Sequence, residues 1–159
     1  MGTTDSIDNI LSEYDEGTKH ALVCEERPDV RNTISAALKG LKYMADEVST
    51  AEETIEKMKF NQYDVIILSE TFAGSTPDDN EALKHLQVMP MNTRRHIFVA
   101  LIGQNLKTND NATAFTKSMN VVVNSNDLGN LAPILKKSIA DNDHFYKVFK
   151  ESLVKMGKR

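Results

Sequence analysis

Short apolar runs alternate along this chain with stripes of apolar residues spaced three and four apart. The runs fall at 21–24, 43–48, 65–68, 97–101 and 121–123. The third, Tyr63-Asp64-Val65-Ile66-Ile67-Leu68, is continuous and ends in polar residues, as interior strands of a parallel sheet do. Between the runs, Pro28 opens a first helix whose stripe is Val30, Ile34, Ala37, Leu38 and Leu41. Ser49 stands three residues before Glu52, a capping-box spacing, and leads a second helix with Ile55 and Met58. A third starts at Asp78 or Asp79, carries Ala82, Leu83, Leu86 and Val88, and stops before Pro90. Asp110 caps a fourth, which turns Ala114, Phe115 and Met119 toward the sheet, and Asp127 caps a fifth with Pro133 in its first turns. Alternating strand and helix predicts a doubly wound α/β fold with helices on both faces of a parallel sheet. Right-handed crossovers favour the strand order 2-1-3-4-5.

The two ends depart from this alternation. Residues 1–18 read as a polar leader containing Asp5, Asp8, Asp15 and Glu16 and no basic residue, although Ile7, Ile10, Leu11 and Tyr14 recur at helical spacing. A short amphipathic helix docking on the domain or on a partner is the other reading. Residues 142–159 read as a helical extension, either a sixth helix or a continuation of the fifth, with a stripe of Phe145, Phe149 (or Val148), Ser152 and Met156. That helix packs back on its own domain or anchors a partner through its paired aromatics. Residues 19–141 then form one domain, in keeping with 159 residues of which 40% are hydrophobic.

Charge and composition narrow the function classes. A net charge of −4 with interspersed signs gives no basic field for nucleic acid, and no apolar run is long enough to cross a membrane. The start lacks a signal-peptide pattern and the single Cys24 lies within a strand run, so a cytoplasmic protein with a buried, unpaired thiol is expected. His20, His85, His96 and His144 are dispersed without metal-ligand spacing, Ser69 lacks the glycines of a nucleophile elbow, and the glycines form no phosphate-binding loop. No metal, cofactor or catalytic residue is expected.

In order along the chain, Ala21-Leu22-Val23-Cys24-Glu25-Glu26, the second run with Ala51-Glu52-Glu53, Asp64 to Leu68, Ile97 to Leu101, and Val121-Val122-Val123-Asn124 resemble the receiver domain of two-component response regulators, from about His20 to Ala140. The resemblance implies a flavodoxin-like (βα)5 three-layer sandwich, and an acidic pocket at the carboxyl edge of the sheet. There, in receivers, an acidic pair and a phosphoacceptor aspartate hold Mg²⁺, while a hydroxyl and a lysine read the phosphoryl group. In this chain the pair corresponds to Glu25 and Glu26, but Ser69 stands at the acceptor position, Ile102 at the hydroxyl position and Asn124 at the lysine position. Val121 replaces the aromatic that rotates on activation, and a β-branched side chain has little rotamer freedom. A serine forms no acyl phosphate and offers no anionic oxygen to a hard cation. The expectation is a pseudo-receiver, non-enzymatic and phosphorylation-independent, signalling through protein contact. Its implied surface is the face of helix four, strand five and helix five together with the C-terminal helix, with Phe115, Asp127, Phe145 and Phe149 as contact candidates toward a partner or a second copy. Two other readings stay open: an atypical phosphoacceptor in a phosphorelay, and a sensor of a small ligand in the altered pocket.

Overall fold

The computed structural model describes residues 18–155. Expectations for residues 1–17 and for Met156 lie outside it. Five parallel strands, β1 (Lys19–Cys24), β2 (Tyr43–Val48), β3 (Val65–Ser69), β4 (Phe98–Gly103) and β5 (Val121–Asn124), form one sheet in the order β2-β1-β3-β4-β5. The crossovers carry α1 (Pro28–Gly40), α2 (Ala51–Phe60), α3 (Glu81–Gln87) and α4 (Asn111–Thr116), and α5 (Leu131–Lys155) follows the last strand. This is the flavodoxin-like arrangement that the sequence predicts.

Alternation along the strands divides the core in two. Ala21, Val23, Val65, Ile67, Ala100, Ile102 and Val123 pack with Ile34 and Leu38 of α1 and Leu131 and Leu135 of α5. Leu22, Cys24, Ile66, Leu68, Val99, Leu101 and Val122 face the other way, toward Leu83 and Leu86 of α3 and Ala114 of α4. Each large aliphatic side chain buried in this way contributes about 1.5–3 kcal/mol. Cys24 is wholly buried, and burial pushes its thiol up to about 12 against a hydrogen bond from Thr54 Oγ1, 3.8 Å away.

Several local expectations shift. The capping box of α2 is one residue later than the Ser49/Glu52 spacing implies: Thr50 Oγ1 accepts from Glu53 N–H at 3.1 Å, and Glu53 Oε1 accepts from Ser49 N–H. Neither Asp78 nor Asp79 caps α3; Asn80 does, its Oδ1 accepting from Leu83 N–H at 3.1 Å. Val88, past the end of that helix, is exposed. On α4, Ala114 and the following Met119 reach the core, but Phe115 is 87% exposed, because adjacent helical positions lie about 100° apart. Asp110 does cap α4, through Thr113 N–H. Asp127 does not cap the last helix: a 3₁₀ turn, Ser125–Asn130, comes first and is capped by Asn124, while Asp127 accepts a hydrogen bond from Thr108. Pro133 is third in α5, where its missing N–H has no helical acceptor to forgo. The C-terminal segment is a continuation of α5 and not a separate helix.

Candidate functional site

The carboxyl ends of β1, β3, β4 and β5 bring together the positions singled out in the sequence. Ser69 ends β3 in register with Ile102 of β4, and Gly103 is in register with Asn124 of β5. Glu25 follows β1 and is completely buried. Its Oε1 accepts from Arg27 Nε at 2.7 Å and lies 2.6 Å from Arg27 Nη2, and its Oε2 accepts from Glu26 N–H at 3.1 Å. Burial holds the Glu25 carboxyl above its ordinary value, against the opposing pull of Arg27. Glu26 Oε2 accepts from Ala73 N–H at 2.5 Å, which pins the loop after β3 where Ala73 takes a positive φ of 59°.

Ser69 is buried, and its hydroxyl lies 3.5 Å from that of Thr71. Ile102 is buried within the apolar layer under α1 and α5. Asn124 donates to the carbonyls of Gln104 (3.2 Å) and Leu106 (2.7 Å), accepts from Asn126 N–H (2.8 Å), and sends its own N–H to Thr108 Oγ1 (2.9 Å). It ties the loop after β4 to the turn after β5. Val121, opposite Ala100, is buried.

Mg²⁺ demands near-octahedral oxygen ligation, including anionic oxygens. Here one oxygen of the Glu25 carboxylate is held by Arg27 and the other by a backbone N–H, and the end of β3 offers a hydroxyl. No cluster of three or more ligating side chains occurs among the described residues. The donor set does not fit the cation. Glu25, Glu26, Ser69, Ile102 and Asn124 line none of the main surface grooves, of about 350 to 860 Å³, formed elsewhere by the described residues, although Val121 lines one of them.

Two polar residues, Asn80 and Glu70, hold this end of the sheet and its neighbouring loops, and a third, Arg94, ties together the segments that lead into β4 and β5 at the opposite, amino edge, roles the sequence reading did not assign to them. Asn80 Nδ2 donates to the carbonyls of Ser69 (3.0 Å) and Glu70 (3.1 Å) while its Oδ1 caps α3. Glu70 is buried, its N–H bonded to Ile102 O at 2.8 Å and its side chain laid where a Cβ on Gly103 would fall 2.1 Å from Oε1. Arg94, in a single helical turn at Met91–Arg94, is buried and donates to Ile97 O (2.7 Å), Ser118 O (2.7 Å) and Asn120 Oδ1 (3.1 Å). Desolvation lowers its pKa. Gly103, the last residue of β4, is a local sign of the Glu70 contact. Nothing local marks Arg94, since arginines are mostly exposed.

The contact candidates separate. Phe115 is exposed on α4, whereas Asp127 is occupied by Thr108. On the distal half of α5, Phe145 is 64% and Phe149 44% exposed, with their rings stacked at 6.4 Å and 11°. Within one chain neither ring is packed into the core.

No protein-family profile matches the sequence, and no curated protein matches it. Solved structures do. The chain is similar to a CheY-like response regulator receiver domain protein from Methanospirillum hungatei (11% identity, 80% of this chain and 98% of that one, TM-score 0.62). It is also similar to the receiver domain of a sensor histidine kinase from Pseudomonas aeruginosa, solved with a magnesium ion in its active-site cleft (20%, 78% and 99%, TM-score 0.59), and to an orphan response regulator of H. pylori (17%, 76% and 95%, TM-score 0.58). The chain has the receiver fold. Among the described residues no helix is long and apolar enough to cross a membrane.

Proposed function

We propose that this chain is a pseudo-receiver: a non-enzymatic, cytoplasmic domain of a two-component-type pathway that acts without phosphotransfer, by contact with a protein partner or a second copy. The observation that carries this reading is that the polar groups at the sheet's carboxyl edge are engaged with one another and with backbone. Arg27 occupies the Glu25 carboxylate, Asn124 serves the loop after β4, and the buried Ser69 presents a hydroxyl where a receiver uses an aspartate. Glu70 supplies no substitute, being buried against Gly103. The contact surface in this reading is the α4–β5–α5 face extended along distal α5, where Phe115, Phe145 and Phe149 stay exposed. Burying such rings is worth about 1.5–3 kcal/mol each, which a second molecule can supply. Nucleic acid and membrane have no part in it.

Intact-mass analysis after incubation with Mg²⁺ and acetyl phosphate tests the reading. No gain of a phosphoryl group is expected, and little is expected in Ser69→Asp, because Ile102 and Asn124 still lack the hydroxyl and the cation. Stable phosphorylation of the unmodified chain at Ser69 or Glu70 would refute it in favour of an atypical phosphoacceptor.

A further inference from the structure

At the edge of the sheet opposite the altered pocket, a groove of about 480 Å³ runs between the first residues of β1, β3 and β4 and the distal half of α5. The α5 positions on its wall extend from Ile139 to Val154, four turns or about 22 Å. Its apolar lining includes Val65, Phe98, Ile139, Phe149 and Leu153. Three cations, Lys19, Arg95 and Lys150, stand around it with two carboxylates, Asp64 and Asp143. None of the three cations has an ion pair among the described residues, and Asp64 is engaged by His20 N–H at 2.9 Å. An apolar trough with unpaired cations on its rim calls for an acidic, amphipathic occupant.

We propose that this occupant is the chain's own N-terminal segment. The described structure begins at Thr18, and the next residue, Lys19, is itself part of the groove wall. The segment therefore starts at the groove. Residues 1–17 hold five carboxylates, Asp5, Asp8, Glu13, Asp15 and Glu16, and no lysine or arginine. Their apolar residues, Ile7, Ile10, Leu11 and Tyr14, follow the i, i+3, i+4, i+7 spacing that puts apolar groups on one side and leaves the acids on the other. At 1.5 Å per residue that stripe is about 10 Å long, well within the groove, and the four residues from Tyr14 to Thr18 reach at most about 14 Å. A tethered segment binds at a high effective concentration, on the order of millimolar for a short flexible link, so weak contacts suffice. Because Phe149 lines the groove and also stacks on Phe145, the docked segment would cover part of the distal α5 surface. The placement itself stands apart from the pseudo-receiver reading.

Nitroxide labelling of Ser12→Cys in the full chain tests it, since the native Cys24 thiol is wholly buried and does not compete for the label. Amide signals of Asp64, Val65, Phe98, Phe149 and Leu153 should fall to less than half of their intensity in the reduced sample, while those of Glu26 and Asn124 at the far edge stay unchanged. Arg95→Glu combined with Lys150→Glu should restore the groove signals, as should high salt in part. Undiminished groove signals in the full chain would overturn the proposal. So would attenuation seen only when labelled, isotope-free chains are mixed with unlabelled ¹⁵N chains, since the occupant would then be a second copy.

Discussion

Removing Arg27 isolates the part of the altered pocket whose energetics are most directly readable. Glu25 is completely buried, and its Oε1 takes both Arg27 contacts, at 2.7 and 2.6 Å. Stripping one partner from a buried ion pair costs about 3–5 kcal/mol, but the Arg27 side chain is 42% exposed, so solvent screens its share. About 2 kcal/mol is expected for Arg27→Ala near neutral pH, which in a domain of this size lowers Tm by about 4–8 °C. The pH dependence fixes the cause. Burial raises the folded Glu25 pKa, so the native state holds a proton that the unfolded chain has released, and stability falls as pH rises from the ordinary carboxylate value through the folded one. Without Arg27 the folded pKa rises further and the fall is deeper. The difference between the variant and the native chain should therefore be largest at about pH 7 and shrink toward about pH 4.3, where Glu25 is protonated in both. Urea titrations at several pH values measure it, and Glu25→Gln placed in the Arg27→Ala background should recover most of the loss. A cost that is the same at both ends of the range, or no recovery by Gln, would refute the assignment of Arg27 as the partner that keeps a buried carboxylate charged.

Other perturbations address the remaining contacts. Gly103→Ala should destabilise the fold by about 1–3 kcal/mol in urea titration, because its Cβ would meet the buried Glu70 side chain, and Glu70→Ala should relieve much of that cost. Arg94→Ala should lose about 3 kcal/mol by leaving three acceptors unpaired, and Arg94→Lys should recover little, since an ammonium lacks the guanidinium fork. Phe145→Ala with Phe149→Ala should leave Tm within about 2 °C of the native value while weakening any self-association or partner capture seen by sedimentation or pull-down. A large drop in Tm in a chain that stays monomeric would place the rings in the fold's own core.

The fold was legible because its signals are periodic and redundant: five apolar runs admit one economical sheet, and the alternation within each run assigns the two core layers residue by residue. The caps were less legible, because a cap is chosen by tertiary partners as well as by spacing. Asp78 and Asp79 have the right chemistry to start α3, but only a carboxamide can accept from Leu83 N–H and also donate to the carbonyls of Ser69 and Glu70, and Asn80 does both. Asp127 was lost as a cap for a similar reason, since the hydroxyl of Thr108, distant in sequence, claims it. Phe115 was misplaced by reading an apolar residue as a core residue. The positions of the altered pocket could be found from the ends of the strands, and Arg27, two residues beyond Glu25, could be read as a partner for the acidic pair; Ala73 and the loop carbonyls could not, because they come from turns that carry no period.

These partners bear on how a domain of this kind would transmit a signal. In open parallel sheets ligands bind outside the carboxyl ends of the strands, and a receiver switch couples that edge to a rotating side chain on β5. Here the edge is cross-tied by Glu26 to Ala73, Asn80 to Ser69 and Asn124 to Leu106, while Val121 is buried and β-branched. A ligand shifts a conformational equilibrium only by its differential affinity for two states, and the β-branched, buried Val121 has little rotamer freedom for such a ligand to select. Exposed aromatic surface lies along distal α5, and the groove beside it opens at the other end of the sheet. On the pseudo-receiver reading proposed above, regulation would come from which molecule or segment occupies α5, with its sensitivity set by the concentration and affinity of the occupant and not by the covalent state of the strand ends.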